Sequence, residues 1–246
     1  KYATVAIEDK DFYKHGGFSP TGIIRAAWNN FRGGDTQGAS TLTQQLVKQA
    51  FFRDEAADRS LGGVPRKIKE TILAIEVERS YNKDQILTMY LNESSYGGRR
   101  NGIQSAARTY FEKDAKDLSL AEATLLAAIP QQPGRFNPYN ALEDSDAKKD
   151  LLTRQATTLN YMVEQGMIKK DEAAEAKKVA ILDTIKPESD QFKDIKAPHF
   201  VQMVKSQLSN QLTEQVMGAG GLTIKTTLDV RAQDTVDKAV IDLFNS

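Results

Sequence analysis

The sequence predicts a mainly α-helical protein. Many segments repeat apolar side chains every three or four positions, the spacing that gives a helix one apolar side. Two of these segments also begin with a capping signal, in which Asn82 precedes Gln85 and Ser119 precedes Glu122 by three residues. One stretch alternates apolar and polar residues instead, and it predicts a short β segment near the C-terminus at residues 222–228.

The apolar spacing and the capping residues place the helices along the chain. They predict helices over residues 4–13, from Pro20, from Ser40 or Thr41 to 52, from Pro65, after Asn82, over 103–111, 120–129, 147–164, 170–179 and 198–215, and after Asp229. In the helix that starts at Pro65, we expect five aliphatic side chains to face inward: Ile68, Ile72, Leu73, Ile75 and Val77. The composition turns polar near residues 186–190, which predicts a domain over 1–185 and a second segment over 186–246.

Composition excludes several classes of function. The 246 residues carry 33 basic and 33 acidic side chains, and a balanced charge argues against a general nucleic-acid binder. The chain has no cysteine, which excludes disulfides and thiolate metal sites, and its two histidines exclude a histidine-rich metal site. No apolar run reaches the length of about 18 residues that a membrane span requires.

Residues 38–48 read G-A-S-T-L-T-Q-Q-L-V-K and combine hydroxyls, amides and a lysine at the start of a predicted helix. Free N–H groups at a helix N-terminus, with hydroxyls and a nearby Lys48, suit an anion such as phosphate. A capped surface helix explains the same residues equally well.

The carboxylates Glu8, Asp9, Asp11 and Glu70 are the candidate acids and bases. A carboxylate among apolar neighbours can have its pKa raised by desolvation, which suits it to proton transfer. For Glu8, the sequence supports proton transfer and a place on a solvated helix face equally well. The cationic candidates are Lys48, Arg59, Arg66 and Lys67, which together would stabilise a leaving pyrophosphate or, singly, are surface charges.

These stretches resemble, in order, the motifs of one known family. Residues 8–17 are similar to its E-D-x-x-F-x-x-H-x-G motif, 38–48 to G-x-S-T-x-T-Q-Q-L-x-K and 66–70 to R-K-x-x-E. Two further stretches, residues 86–92 and 121–139, resemble its fourth and fifth motifs. The family is the peptidoglycan glycosyltransferase domain (glycosyltransferase family 51) of class A bifunctional penicillin-binding proteins. The segment 221–229 is similar to the linker that leads into the transpeptidase domain of these proteins.

The resemblance implies a lysozyme-like helical fold with two lobes around a cleft. It also implies polymerisation of lipid II, with a growing glycan chain as donor, inversion at its anomeric carbon and release of undecaprenyl pyrophosphate. We therefore expect action at the bacterial membrane surface, on the outer face of the cytoplasmic membrane, beside other cell-wall synthesis proteins. The sequence is then a piece of a longer protein whose transmembrane anchor and transpeptidase domain it lacks.

The resemblance also assigns roles to residues of this sequence. Glu8 is the general base, and Glu70, a second catalytic carboxylate, positions phosphates or a divalent cation, magnesium or manganese. The predicted substrate-binding residues are Asp9, Ser40, Thr41, Gln44, Gln45, Lys48, Arg59, Arg66 and Lys67. Four aromatic residues either pack in the hydrophobic core or form an apolar edge that inserts into the bilayer surface: Trp28, Phe31, Phe51 and Phe52.

Two alternatives remain open at this point. A lytic transglycosylase or lysozyme cleaves glycan with a similar fold and glutamate, but it has no need of cations that bind phosphate. A non-catalytic scaffold that binds wall precursors would not depend on Glu8.

Overall fold

The structure is a computed structural model whose described residues fall into six ranges: 1–19, 40–52, 63–98, 100–188, 197–209 and 223–244. The chain forms two compact units, Lys1–Glu188 and Ser189–Ser246. The boundary predicted after residue 185 lies close to this division.

Helices provide nearly all the regular structure of the described residues, which confirms the mainly α prediction. The first unit contains α1 (Tyr2–Glu8), α2 (Leu42–Phe51), α3 (Gly63–Ser80), α4 (Lys83–Glu93), α5 (Ile103–Phe111), α6 (Leu120–Ala128), α7 (Pro138–Glu143), α8 (Ser145–Glu164) and α9 (Lys170–Lys178). The second unit contains α10 (Pro198–Ser209) and α11 (Val230–Phe244). Short 3₁₀ helices cover Phe12–Lys14, Ala115–Asp117 and Ile181–Thr184.

The predicted capping signals start the helices. Thr41, not Ser40, is the N-cap of α2: its hydroxyl accepts the Gln44 N–H, and the Gln44 side chain accepts the Thr41 N–H, both at 3.1 Å. Each such pair satisfies two of the N–H groups that a helix start leaves free. The same reciprocal pairs begin α4 and α6, as predicted: Asn82 with Gln85, and Ser119 with Glu122.

The first helix ends earlier than predicted. Residues 4–13 do not form one helix, because α1 stops at Glu8 and Asp9 leaves helical geometry with φ −158° and ψ 79°. In this conformation the Asp9 carboxylate accepts a hydrogen bond from the Leu42 N–H at the start of α2. A contact with a distant helix therefore ends α1, and sequence periodicity does not reveal it.

Two main hydrophobic clusters and a third, small one form the core of the first unit. The larger main cluster joins α5 to α9, and the smaller main cluster joins α1, α2, α4 and the Phe12–Lys14 turn. Helix α1 lies between them, since Val5 packs in the smaller cluster while Ala3 and Ala6 pack against Ala127 and Met162 of α6 and α8. This division agrees with the predicted two-lobed helical domain.

Helix α3 presents the opposite face to that predicted. Between residues 66 and 80 of this helix, Glu70 and Ala74 are the buried residues, whereas Ile68 and Ile72 are 58% and 61% exposed. The inward prediction is wrong for three of its five aliphatic residues: Ile68, Ile72 and Leu73 are exposed, while Ile75 and Val77 are half-buried. The reason is tertiary, because the polar side chains of α3 bind partners on α2 and leave the aliphatic side chains outside.

The predicted β segment is not formed in its described part, since residues 223–229 lie in no helix or strand. A strand needs a partner for its backbone hydrogen bonds, and in the described ranges the only β pairing is an isolated bridge between Ser95 and Asn101. Leu222 lies outside those ranges. Within them, no helix is both long and apolar enough to cross a membrane.

We predict that Gly17→Ala destabilises the protein strongly while Gly16→Ala does not. Gly17 has φ +76°, and a Cβ there would come within 2.6 Å of the Ala74 carbonyl oxygen of α3, whereas a Cβ on Gly16 meets nothing within 4 Å. Left-handed strain and overpacking together predict a loss of about 2–4 kcal/mol in the free energy of unfolding. Urea denaturation of both variants measures it, and equal stabilities would contradict this account.

Candidate active site

The start of α2 is fixed to the end of α1 by Asp9. Its Oδ2 accepts the Leu42 N–H at 3.0 Å, and both carboxylate oxygens lie 3.0 Å from His15 Nε2. A carboxylate at a helix N-terminus also interacts favourably with the helix dipole. Asp9 is buried, so the structure places this predicted substrate-binding residue within the framework that positions α2.

Glu8, the residue before Asp9, lies at the seam between the two hydrophobic clusters. Its Oε2 accepts a hydrogen bond from Gln45 Nε2 of α2 at 3.1 Å. Its Oε1 accepts one from Arg154 Nη2 of α8 at 2.8 Å. The Glu8 side chain is 7% exposed and that of Arg154 is 16% exposed, so the ion pair is largely shielded from water.

The charge of Glu8 contributes to the raised pKa values of two tyrosines. Burial raises the pKa of the Tyr90 phenol well above its usual value, and the negative charge of Glu8 raises it further. The pKa of Tyr96 is raised by the same two causes in the same order. Both phenols therefore stay neutral, and the Tyr90 hydroxyl donates to Gln45 Oε1 at 3.3 Å.

A second charged cluster lies at the other side of the α2 N-terminus. Glu70 of α3 is 1% exposed, with Arg66 Nε at 3.2 Å and Lys67 Nζ at 3.0 Å from its carboxylate oxygens. Lys67 also donates to Ser40 Oγ at 2.8 Å. Two cations and one carboxylate leave this cluster with one net positive charge near the start of α2.

The structure brings most of the predicted site residues together around α2, although some are engaged within the fold. Thr41 donates to the Gly17 carbonyl, and the Gln44 amide bridges Thr41 and Thr71, so both are occupied by framework contacts. Lys48 lies one turn after Gln45, is half-buried and has no hydrogen bond or ion pair with any described residue. Arg59 lies outside the described residues.

The side chains around Glu70 do not fit a resident divalent cation. Magnesium and manganese favour several carboxylate and carbonyl oxygens, but the Glu70 carboxylate is already paired with Arg66 and Lys67. No group of three or more histidine or carboxylate side chains that could hold a metal occurs in the described part of the chain.

Arg154 was missed by the sequence reasoning. It lies on α8 among buried positions, with Leu151 one turn before it and Gln155 and Thr158 beside and after it. A charged residue on the inward side of an amphipathic helix requires a buried partner, and this was the available signal. The partner, Glu8, is 146 residues away, so no local motif contains both.

Comparison with known proteins agrees with this geometry. The sequence profile of the Transglycosylase family matches residues 1–163. Penicillin-binding protein 1A of Aquifex aeolicus is 38% identical over 240 residues, which are 97% of this chain and 30% of that protein. Penicillin-binding protein 2D of Bacillus subtilis is 35% identical over 247 residues, covering 99% of this chain and 34% of that protein.

A crystal structure of penicillin-binding protein 1A from Haemophilus influenzae aligns with 71% of this chain and 20% of that chain, at 21% identity and a TM-score of 0.42. The chain thus spans about a third of the length of the relatives named above. Because the family profile covers well over half of its residues, the chain belongs to the Transglycosylase family.

Proposed function

We propose that the Lys1–Glu188 unit is a peptidoglycan glycosyltransferase that polymerises lipid II. The observation that carries this proposal is the shielded Glu8 carboxylate at the seam between two lobes. It lies beside α2, which also carries Lys48 and has the Arg66 and Lys67 cluster of α3 near its N-terminus. A single carboxylate near several cations is what the transfer of a sugar from a pyrophosphate requires, and family membership supports the same reaction.

In the proposed reaction, Glu8 accepts the proton of the 4-hydroxyl of the acceptor sugar. That oxygen forms a bond to the anomeric carbon of the donor from the face opposite the leaving group, which inverts the configuration. The bond between the anomeric carbon and the pyrophosphate oxygen breaks, and undecaprenyl pyrophosphate leaves with the electron pair. The growing glycan chain is the donor and a new lipid II molecule is the acceptor.

The leaving pyrophosphate is proposed to bind at Lys48 and at the N-terminal side of α2. Lys48 has no partner among the described residues, so its ammonium group is available to an anion. Ser40 and Lys67 offer a hydroxyl and a second ammonium group, although Lys67 also contacts Glu70. Arg59 remains a proposed member of this group by its resemblance to the family motif.

The glycan-cleaving alternative is less well supported. A hydrolase that used a second carboxylate would need one free beside Glu8, and the neighbouring Asp9 is bound by His15 and the Leu42 N–H. A cleaving enzyme also gives no role to Lys48 and Lys67. A non-catalytic scaffold gives no reason to hold the Glu8 carboxylate between two donors.

The exposed aliphatic stripe of α3 supports contact with the membrane. Ile68, Ile72 and Leu73 lie one turn apart or adjacent, and Phe51 at the end of the neighbouring α2 is 68% exposed. Apolar side chains on a helix that lies along a bilayer insert among the lipid headgroups. We propose that this surface rests on the outer face of the cytoplasmic membrane, where the lipid-linked substrates are. Of the predicted aromatic edge, Phe52 is half-buried, and Trp28 and Phe31 lie outside the described residues.

The first prediction concerns the proposed base. Glu8→Gln should reduce polymerisation of labelled lipid II by about 10³-fold, because an amide cannot take up the acceptor proton. Glu175→Gln is the control, since that carboxylate is exposed on α9 and pairs only with Lys178. Glycan length and amount are read on gels. Full activity of Glu8→Gln would refute the proposal, and release of soluble fragments from preformed wall would favour the cleaving enzyme.

The second prediction concerns the phosphate site. Lys48→Ala should raise the KM for lipid II by about 10-fold or more, the loss expected for one charge-assisted hydrogen bond to phosphate. Lys178→Ala removes an exposed ammonium group from α9 and should leave KM unchanged. Initial rates over a range of lipid II concentrations measure both. An unchanged KM in Lys48→Ala would remove Lys48 from the substrate site.

The third prediction concerns the membrane surface. The double variant Ile68→Ser, Ile72→Ser should bind vesicles of phosphatidylglycerol and phosphatidylethanolamine at least about tenfold more weakly, because two exposed apolar side chains are lost. Leu142→Ser is the control, since Leu142 is an exposed leucine of α7. Sedimentation with vesicles measures binding, and equal binding by both variants would place the membrane contact elsewhere.

A further inference from the structure

We propose that Arg154 is a positioning residue that, together with Gln45, aims the Glu8 carboxylate at the acceptor sugar. The inference rests on the proposed function but concerns a residue that no motif of this sequence identified. Its basis is the contact between the Arg154 guanidinium and Glu8 Oε1 across the seam between the lobes.

Arg154 is itself fixed by three contacts. Its Nη2 donates to Glu8, its Nε donates to the Ala128 carbonyl at 3.0 Å, and its guanidinium lies 5.7 Å from the centre of the Phe136 ring. Ala128 is the last residue of α6, where carbonyl groups lack helical partners and attract positive charge. The guanidinium is therefore held in one orientation before it meets the carboxylate.

The other side of Glu8 is held equally firmly by α2. The Tyr90 hydroxyl donates to Gln45 Oε1, so the amide nitrogen of Gln45 is turned toward Glu8 Oε2. An arginine from one lobe and an amide from the other thus each donate a hydrogen bond to a different oxygen of the Glu8 carboxylate. Rotation of the carboxylate would break both hydrogen bonds.

The two hydrogen bonds leave the Glu8 carboxylate with lone pairs that can accept a proton. An ionised carboxylate offers about four lone-pair sites, and the two donors occupy two of them. Oε1 carries the charge-assisted bond to Arg154, whereas Oε2 accepts only from a neutral amide. Oε2 is therefore the oxygen better suited to receive the acceptor proton, while Oε1 stays paired with the guanidinium.

The charged and titratable groups around Glu8 make Arg154 its main counter-charge. Tyr90 and Tyr96 face it as neutral phenols, and Asp9 is turned toward His15 and α2. Lys48 of α2 makes no ion pair with any described residue. Within the described ranges, Arg154 is the one cation in contact with the Glu8 carboxylate.

The expected effect on ionisation follows from the sign of that charge. A cation next to a carboxylate favours the ionised form, so its removal favours the protonated form, which cannot act as a base. In Arg154→Met the Glu8 carboxyl should therefore take up a proton at higher pH than in the wild type. The acidic limb of the activity profile should move to higher pH with it.

The experiment compares Arg154→Met, Arg154→Lys and Arg135→Met in the 246-residue chain. Arg135 pairs with Asp150 one turn before Arg154 and is mostly exposed, so Arg135→Met controls for loss of a guanidinium near α8. For each variant, kcat and KM for lipid II are measured from pH 4 to 9, and Glu8 is titrated by carboxyl ¹³C NMR with its signal assigned through Glu8→Gln. Thermal unfolding shows whether each variant is folded.

We expect Arg154→Met to lower kcat at neutral pH by about 10-fold or more with KM changed less than about threefold, the pattern of a residue that acts through the base. Arg154→Lys keeps the charge but loses the bond to Ala128, so its acidic limb should stay near that of the wild type while kcat falls. Arg135→Met should match the wild type in every measurement.

The outcomes separate this inference from the proposed function. If Arg154→Met is folded and its Glu8 titrates as in the wild type, the inference is overturned, whether or not the chain is active. If Arg154→Met does not fold, an Arg154→Lys enzyme with the wild-type kcat overturns it. A wild-type chain that makes no polymer refutes the proposed function, while the NMR titration still decides the role of Arg154. Polymer synthesis unaffected by Arg154→Met overturns only the positioning role.

Discussion

The candidate site depends on one interaction, the hydrogen bond that the Leu42 N–H donates to the Asp9 carboxylate. This contact ends α1 and joins it to the N-terminus of α2 through a buried negative charge, which can contribute up to about 2 kcal/mol at a helix N-terminus. Because Glu8 directly precedes Asp9, fixing Asp9 also fixes the backbone of Glu8 relative to α2. The position of the proposed base therefore follows from the cap of a neighbouring helix, one turn before the Gln45 side chain that binds it.

Helix α3 shows how the needs of a site can override apolar patterning. Its buried side carries Glu70 and the acceptor Glu78, which Thr43 and Lys83 bind, and its exposed side carries isoleucines. A buried carboxylate is tolerated only with charged or hydrogen-bonding partners. Glu70 finds these within α3, and Glu78 finds them on α2 and α4. The same rotation that brings Arg66 and Lys67 to the α2 N-terminus leaves Ile68 and Ile72 facing outward. The cationic cluster and the proposed membrane surface are thus two consequences of one helix orientation.

The parts of the structure that the sequence predicted are those that depend on neighbouring residues. The capping boxes at Asn82 and Ser119 were predicted correctly because both partners lie within one turn. The exposed face of α3 and the early end of α1 were not predicted, because contacts with residues of α2 determine both. Around the candidate site, resemblance to motifs identified Glu8 and Gln45 but not that they bind each other. Arg154 was missed because it is joined to Glu8 only through the packing of α1 against α8.

The placement of Glu8 between two lobes explains how one carboxylate can be shielded from water and held from two sides. A glutamate inside either lobe would be enclosed by that lobe alone, and one on a lobe surface would be hydrated and free to rotate. At the seam, each lobe supplies one donor, a neutral amide from α2 and a guanidinium from α8. A change in the distance between the lobes must therefore stretch one of these bonds. The orientation of the proposed base is in this way tied to the packing of α1 and α2 against α8.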